Sequence, residues 1–247
     1  MRMNLRIWVN HRIFSSCLII LSYHCHCTRL IFPTHSNIHH KVLMDAIQLA
    51  DFLLLECFIR KGAKIEYTNE HGFTPLMYAS ALGQHFSVGT LLKYGAAINA
   101  QDHNGWTALH WAADSGENIK SSEAQRRGDH WKTVKLLVNK KANLDIQNEQ
   151  GLTPLMWATG FGRSDIAVTL IKNGANLYLE DSDGNSVITI ARGVLEKLEA
   201  VKKTTLENAE EWGSDQNEML MGYSRIYAAI KTEIKKRKKA GEVSNEL

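Results

Sequence analysis

The chain has 247 residues, 44% of them hydrophobic, with 29 basic and 26 acidic side chains and a formal net charge of +3 at pH 7. This is an ordinary composition for one or two soluble globular domains. Residues 41–190 carry 14 basic against 16 acidic side chains, which excludes the strong basic stripe of a nucleic-acid binder.

The first 40 residues stand apart. They hold four arginines and no acid, three of the four cysteines and six of the eleven histidines. His24, Cys25, His26 and Cys27, with His35, His39 or His40, could supply metal ligands, but their spacing fits no common zinc module. No metal is therefore expected. The run from Ile13 to Tyr23 resembles a short signal h-region, too short to cross a bilayer as a helix and not followed by a small-residue cleavage motif. An acid-free, arginine-bearing start also resembles a transit peptide. Disorder, or a true start at Met44, is the expectation over targeting. Cys57 lies on an apolar helix, as a buried reduced thiol would, and no disulfide framework is expected.

From residue 41 the chain is periodic. Gly72, Gly105, Gly151 and Gly184 follow one another at 33, 46 and 33 residues, and the middle interval is 33 plus a 13-residue insertion. Gly62-Ala63, Gly95-Ala96, Lys141-Ala142 and Gly174-Ala175 repeat the same spacings. A fixed period of this size marks a helical repeat array. Within each unit Thr74, Thr107, Thr153 or Ser186 supplies a hydroxyl suited to a helix N-cap. Pro75 and Pro154 suit the first helical position, where the missing N–H costs nothing. Gly83, Gly116 and Gly162 end the first helix. The second helix carries its apolar face on Val88, Leu91 and Leu92, then on Val134, Leu137 and Val138, then on Ala167, Leu170 and Ile171. No unit can bury that face alone, so the units must stack.

The segments TPLMYASALG, TALHWAADSG and TPLMWATGFG resemble the ankyrin repeat pattern G-x-T-P-L-H-x-A-A-x-x-G. The departures are specific. Only His110 keeps the pattern's histidine, Met77, Met156 and Thr189 replace it elsewhere, and Ala108 replaces the proline. Residues 42–65 fit the spacing without the turn, as an N-terminal capping unit would. The resemblance implies an all-α fold, an ankyrin-type helical solenoid with hairpin-like turns, capped by C-terminal helices. The expected domains are a segment 1–40 outside the repeats, a repeat domain 41–195, and C-terminal capping helices with a basic tail over 196–247. The repeat units fall near 41–68, 69–101, 102–147, 148–180 and 181–195.

The insertion, about residues 117–129, is polar and is expected to be a tolerated surface loop. Its alternative role is a contact arm or a regulatory site through Ser121 and Ser122 near Arg126 and Arg127. Beyond Ala191 two amphipathic helices are expected, the second opened by a capping box of Asp215 and Glu218. The run Lys235 to Lys239 looks like a nuclear-import signal, but cations also suit a helix C-terminus.

No nucleophile elbow, P-loop, dinucleotide fingerprint or zinc-protease motif occurs, so no enzyme and no cofactor are expected. The resemblance implies a protein-interaction module, an adaptor or regulatory scaffold, with a nuclear or nucleic-acid-associated role through the basic tail as the alternative. The expected partner is a protein. Neither nucleic acid nor a membrane is expected, the chain should be a monomer, and its place is the cytoplasm or the nucleus. Trp111 aligns by the repeat spacing with Tyr78 and Trp157, and Trp106 with Phe73 and Leu152. The resemblance places both rows on a concave groove, with Phe161 and the turn-tip His71 and His103 beside them as partner contacts. The same aromatics could instead pack sideways and only stiffen the stack. Removing Trp111 and Trp157 together is expected to abolish binding and leave the fold intact.

Overall fold

The computed structural model describes residues 43–114, 129–207 and 213–240. The segment 1–40 and the insertion up to residue 128, with Gly116, Ser121, Ser122, Arg126 and Arg127, lie outside the described residues. Two compact units divide between Lys64 and Ile65.

The first unit holds a helical turn at residues 43–48 and helix α1 (Phe52–Arg60). Asp51 caps α1, its Oδ1 accepting the Leu54 N–H at 3.0 Å. The turn's Leu43, Ala46 and Ile47 and the helix's Leu54, Leu55, Phe58 and Ile59 are all buried. Cys57, expected to be buried, is half-buried.

The second unit is built from pairs of helices. These are α2 (Pro75–Ala81) with α3 (His85–Lys93), and α4 (Ala108–Asp114) with α5 (His130–Asn139). The third pair is α6 (Pro154–Gly160) with α7 (Ser164–Lys172), and the last is α8 (Val187–Glu207) with α9 (Ser214–Lys239). Helices α2, α4, α6 and α8 pack one on the next as an inner row, and α3, α5, α7 and α9 as an outer row. The described residues form no strand, only isolated bridges at Gln101–Thr107 and Glu180–Ser186 beside the turns.

The threonines start the inner helices as their position demands. Thr74 Oγ1 accepts the Met77 N–H and Thr153 Oγ1 the Met156 N–H, each at 3.2 Å. Small residues behind them (Ala79, Ala112, Ala113 and Ala158) are fully buried, which lets the inner helices approach closely. Each turn glycine sits in the left-handed region, with φ between 74° and 78°. Gly105 shows why no side chain fits: an added Cβ would lie 2.9 Å from the Asn148 Cα of the next turn. Backbone bonds tie successive turns together. His103 N–H donates to His71 O, Glu149 N–H to Asn104 O and Ser182 N–H to Gln150 O, all at 3.0 Å.

Lys141 occupies the position held by Gly95 and Gly174 in neighbouring repeats and takes the same left-handed backbone, φ 66°. A Cβ in that region is strained, and glycine removes the strain at some entropic cost. Lys141→Gly should therefore stabilise the chain by about 0.5–1 kcal/mol. An unchanged or lowered denaturant midpoint would show that Lys141 is not strained.

Past Ala191 the helices do more than the sequence implied. The boundary drawn at 195/196 from the loss of period falls inside α8, a continuous 21-residue helix whose first turns continue the inner row through buried Val187 and Ala191. Helix α9 packs on α7 and α8 as each outer helix packs on its neighbours. Its buried Tyr223, Ile226 and Ile230 supply the contact, and Tyr223 Oη donates to the Gly160 carbonyl at 2.6 Å. Asp215 and Glu218 do not form the capping box. The helix begins at Ser214, so Gln216 is the residue that reaches back, its Oε1 accepting the Gly213 N–H at 3.1 Å.

Candidate interaction surface on the inner helices

The repeat spacing places one Asx residue before every turn: Asn69, Asp102, Asn148 and Asp181. Each uses one oxygen in the same way. Asp102 Oδ1 accepts the N–H groups of Asn104 at 3.0 Å and Trp106 at 2.9 Å. Asn148 Oδ1 accepts those of Gln150 at 3.0 Å and Leu152 at 2.9 Å. These bonds present the residue after each turn glycine to the inner face.

The two expected rows of aromatics interleave into one. Phe73 meets Trp111 edge-on at 4.8 Å between centroids, and Tyr78 stands 6.2 Å from Phe73. Trp106 contacts Trp111 at 4.7 Å and Trp157 at 4.6 Å, and Trp157 reaches Phe161 at 4.7 Å. Exposure is uneven along the row. Trp106 is 9% exposed, whereas Phe161 is 50% exposed. Phe73, Tyr78, Trp111, Leu152 and Trp157 are half-buried. His71 and His103 sit exposed at the turn tips, away from these ring contacts.

Two carboxylates missing from the sequence reading anchor the row. Trp111 Nε1–H donates to Asp102 Oδ2 at 3.0 Å, and Trp157 Nε1–H donates to Asp114 Oδ1 at 2.9 Å. Asp102 and Asp114 are themselves buried. An aspartate at the Asx position has a second oxygen to offer an indole, where asparagine has an amide nitrogen, and that substitution was the available signal. These bonds argue against the expectation that Trp111 and Trp157 can be removed without cost to the fold. Each ring bridges neighbouring repeats and satisfies a buried carboxylate.

His110 joins the same two repeats. Thr107 N–H donates to its Nδ1 at 3.2 Å, which leaves Nε2–H to donate to the Leu152 carbonyl at 3.0 Å. Burial pushes its pKa down to about 4, against the opposing pull of the Leu152 carbonyl. Met77 and Met156, which replace this histidine elsewhere, reproduce only the local bond, their sulfurs accepting the threonine N–H at 3.4 Å. His130, on the outer row, is also held at about 4 by burial, with the charge of Arg163 acting the same way. The Ala112 carbonyl opposes the burial more than Arg163 adds to it, and Asp129 opposes it too, yet neither ring nitrogen has a partner within hydrogen-bond geometry among the described residues.

Between the second and third turns the inner face opens into a cleft of about 340 Å³ lined by Trp106, Trp111, Trp157, Glu149 and the amides of Asn104, Asn148 and Gln150. Among the described residues no helix is long and apolar enough to cross a membrane, and no cluster of three His, Cys, Asp or Glu side chains could hold a metal.

The profile of the family described as ankyrin repeats (3 copies) matches residues 22–121 and 122–210. An ankyrin repeat protein of Acanthamoeba polyphaga mimivirus is 27% identical over 165 residues, 62% of this chain and 29% of the viral protein. One from fowlpox virus (strain NVSL) is 33% identical over 155 residues, 61% of this chain and 42% of its own. The ankyrin repeat, SAM and basic leucine zipper domain-containing protein 1 of Dasypus novemcinctus is 28% identical over 145 residues, 59% of this chain and 28% of that protein. The chain thus spans less than half the length of each of these relatives. With a matching profile over most of its length and paired helices stacked at the repeat period, this chain belongs to the ankyrin repeat family.

Proposed function

We propose that the chain is a non-enzymatic adaptor or regulatory scaffold, acting in the cytoplasm or nucleus, that holds a protein partner on the inner-helix face. Ankyrin repeats are interaction modules in general; the contiguous aromatic row from Tyr78 to Phe161 carries the more specific reading. Apolar patches of this kind, rimmed by polar turns, mark interaction sites. Tryptophan and tyrosine also dominate interface energies. The alternative through the basic tail has less support. Arg237 already bonds Glu233 at 3.1 Å and the Ala175 carbonyl at 3.0 Å, and Lys236 pairs with Glu233, so part of the run serves the end of α9.

Phe161 is the residue to test, because its exposed ring can be removed with little packing loss. In affinity capture with the full chain, Phe161→Ser should reduce recovery of the partner at least about tenfold while the melting temperature stays within a few degrees. Undiminished recovery would place the contact elsewhere.

A further inference from the structure

The cleft between the second and third turns differs in chemistry from a general apolar groove. Its lining is three indoles, three uncharged amides and Glu149, with no lysine, arginine or histidine among the described lining residues. Trp106 touches both other rings, at 4.7 and 4.6 Å, so the three indoles form one continuous wall. The carboxylates of Asp102 and Asp114 accept the N–H groups of Trp111 and Trp157 at 3.0 and 2.9 Å. That bonding fixes both rings in place and neutralises their positive edges, which leaves the ring faces richer in electron density. The acidic groups near the rings are Glu149 on the lining and the two aspartates bonded to the indole N–H groups.

A guest suited to such a wall is a cation whose surface is apolar. An unmodified ammonium is compact and strongly hydrated, so stripping its water offsets the attraction of the rings. Methylation keeps the charge and replaces water-binding N–H groups with methyls that pack against indole faces. We propose that this cleft recognises a methylated ammonium group, carried either by a methylated lysine of a protein partner or by a free quaternary amine. The proposal rests on the inner face being the binding face, as argued above, and specifies what its centre takes.

The test is a titration of the full chain followed by its tryptophan fluorescence. Tetramethylammonium chloride should give a saturable change that sodium chloride at equal ionic strength does not. A peptide acetyl-Gly-Gly-Lys-Gly-Gly-amide with a trimethylated lysine should bind at least about tenfold tighter than the unmodified peptide, and tighter than the peptide whose side chain ends in a neutral tert-butyl group. Tighter binding of that peptide than of choline would assign the guest to a protein; the reverse would assign it to a free amine. Glu149→Gln, an exposed change, should weaken tetramethylammonium several-fold and leave the tert-butyl peptide unaffected. Trp157→Phe should weaken it further while circular dichroism confirms the fold. Equal affinity for the charged and neutral side chains, no response to any ammonium, or full affinity in both variants would each overturn the proposal. Should the ammonium arms fail while Phe161→Ser still abolishes protein capture, the cation site falls and the protein-binding reading stands.

Discussion

Replacing Trp111 or Trp157 by alanine should lower the unfolding free energy by about 3 kcal/mol, and replacing both by more than either alone. The rings are half-buried, and each spans two repeats: Trp111 between Phe73 and Trp106, Trp157 between Trp106 and Phe161. Truncation also removes an N–H donor from Asp102 or Asp114, and a buried carboxylate that loses a donor adds its own penalty. The two effects should not sum simply, because both rings share Trp106. In a repeat array the loss is local to the three units over 69–180 and can split the unfolding transition. Phenylalanine at either position should cost less than alanine, since an aromatic ring remains and the losses are the smaller half of the indole and its hydrogen bond. Urea unfolding of the single and double variants checks this. A double alanine variant with the parent's midpoint would mean that the indoles decorate the surface and do not tie the repeats together.

Acidification should weaken the fold between pH 6.5 and 4. Both His110 and His130 have a folded pKa near 4, below the ordinary histidine value of 6.5. The folded state therefore favours the neutral ring, while the unfolded chain takes up the proton first. Stability is full above about pH 6.5 and is lost progressively as pH falls toward 4, by about 3 kcal/mol for His110 alone. Protonation would also place a donor on Nδ1, where Thr107 N–H already points. His110→Gln can keep a donor toward the Leu152 carbonyl but cannot titrate. Its urea midpoint should fall less between pH 7 and pH 4.5 than that of the parent chain, whatever the exposed carboxylates contribute to both. Identical pH profiles would exclude His110 as the acid-sensitive group.

The repeats were legible because their signals are local. Thr74 and Thr153 cap helices through their own next turn, and Gly72, Gly105, Gly151 and Gly184 take a backbone that glycine adopts without strain. The aromatic positions were legible too, since a fixed period aligns Tyr78, Trp111 and Trp157 without any coordinates. Their burial was not. Two rows on a concave groove and one interlocked row use the same residues, and only the ring-to-ring distances distinguish them.

Amino-acid order by itself determined the unit of this protein: the turn, the capped inner helix, the outer helix with its apolar face, and the family to which that unit belongs. Local hydrogen bonds and a 33-residue period specify these, and each works within one repeat. Tertiary structure decided what happens between repeats. It tied Trp157 of one unit to Asp114 of the unit before it, joined His110 to Leu152, and enclosed a cleft between adjacent turns. It also used α8 and α9 to continue both rows after the motif had faded, because the exposed core of the last repeat accepts any helix of suitable apolar face. These are contacts across tens of residues, and their geometry depends on the stacking distance and angle that no single repeat specifies.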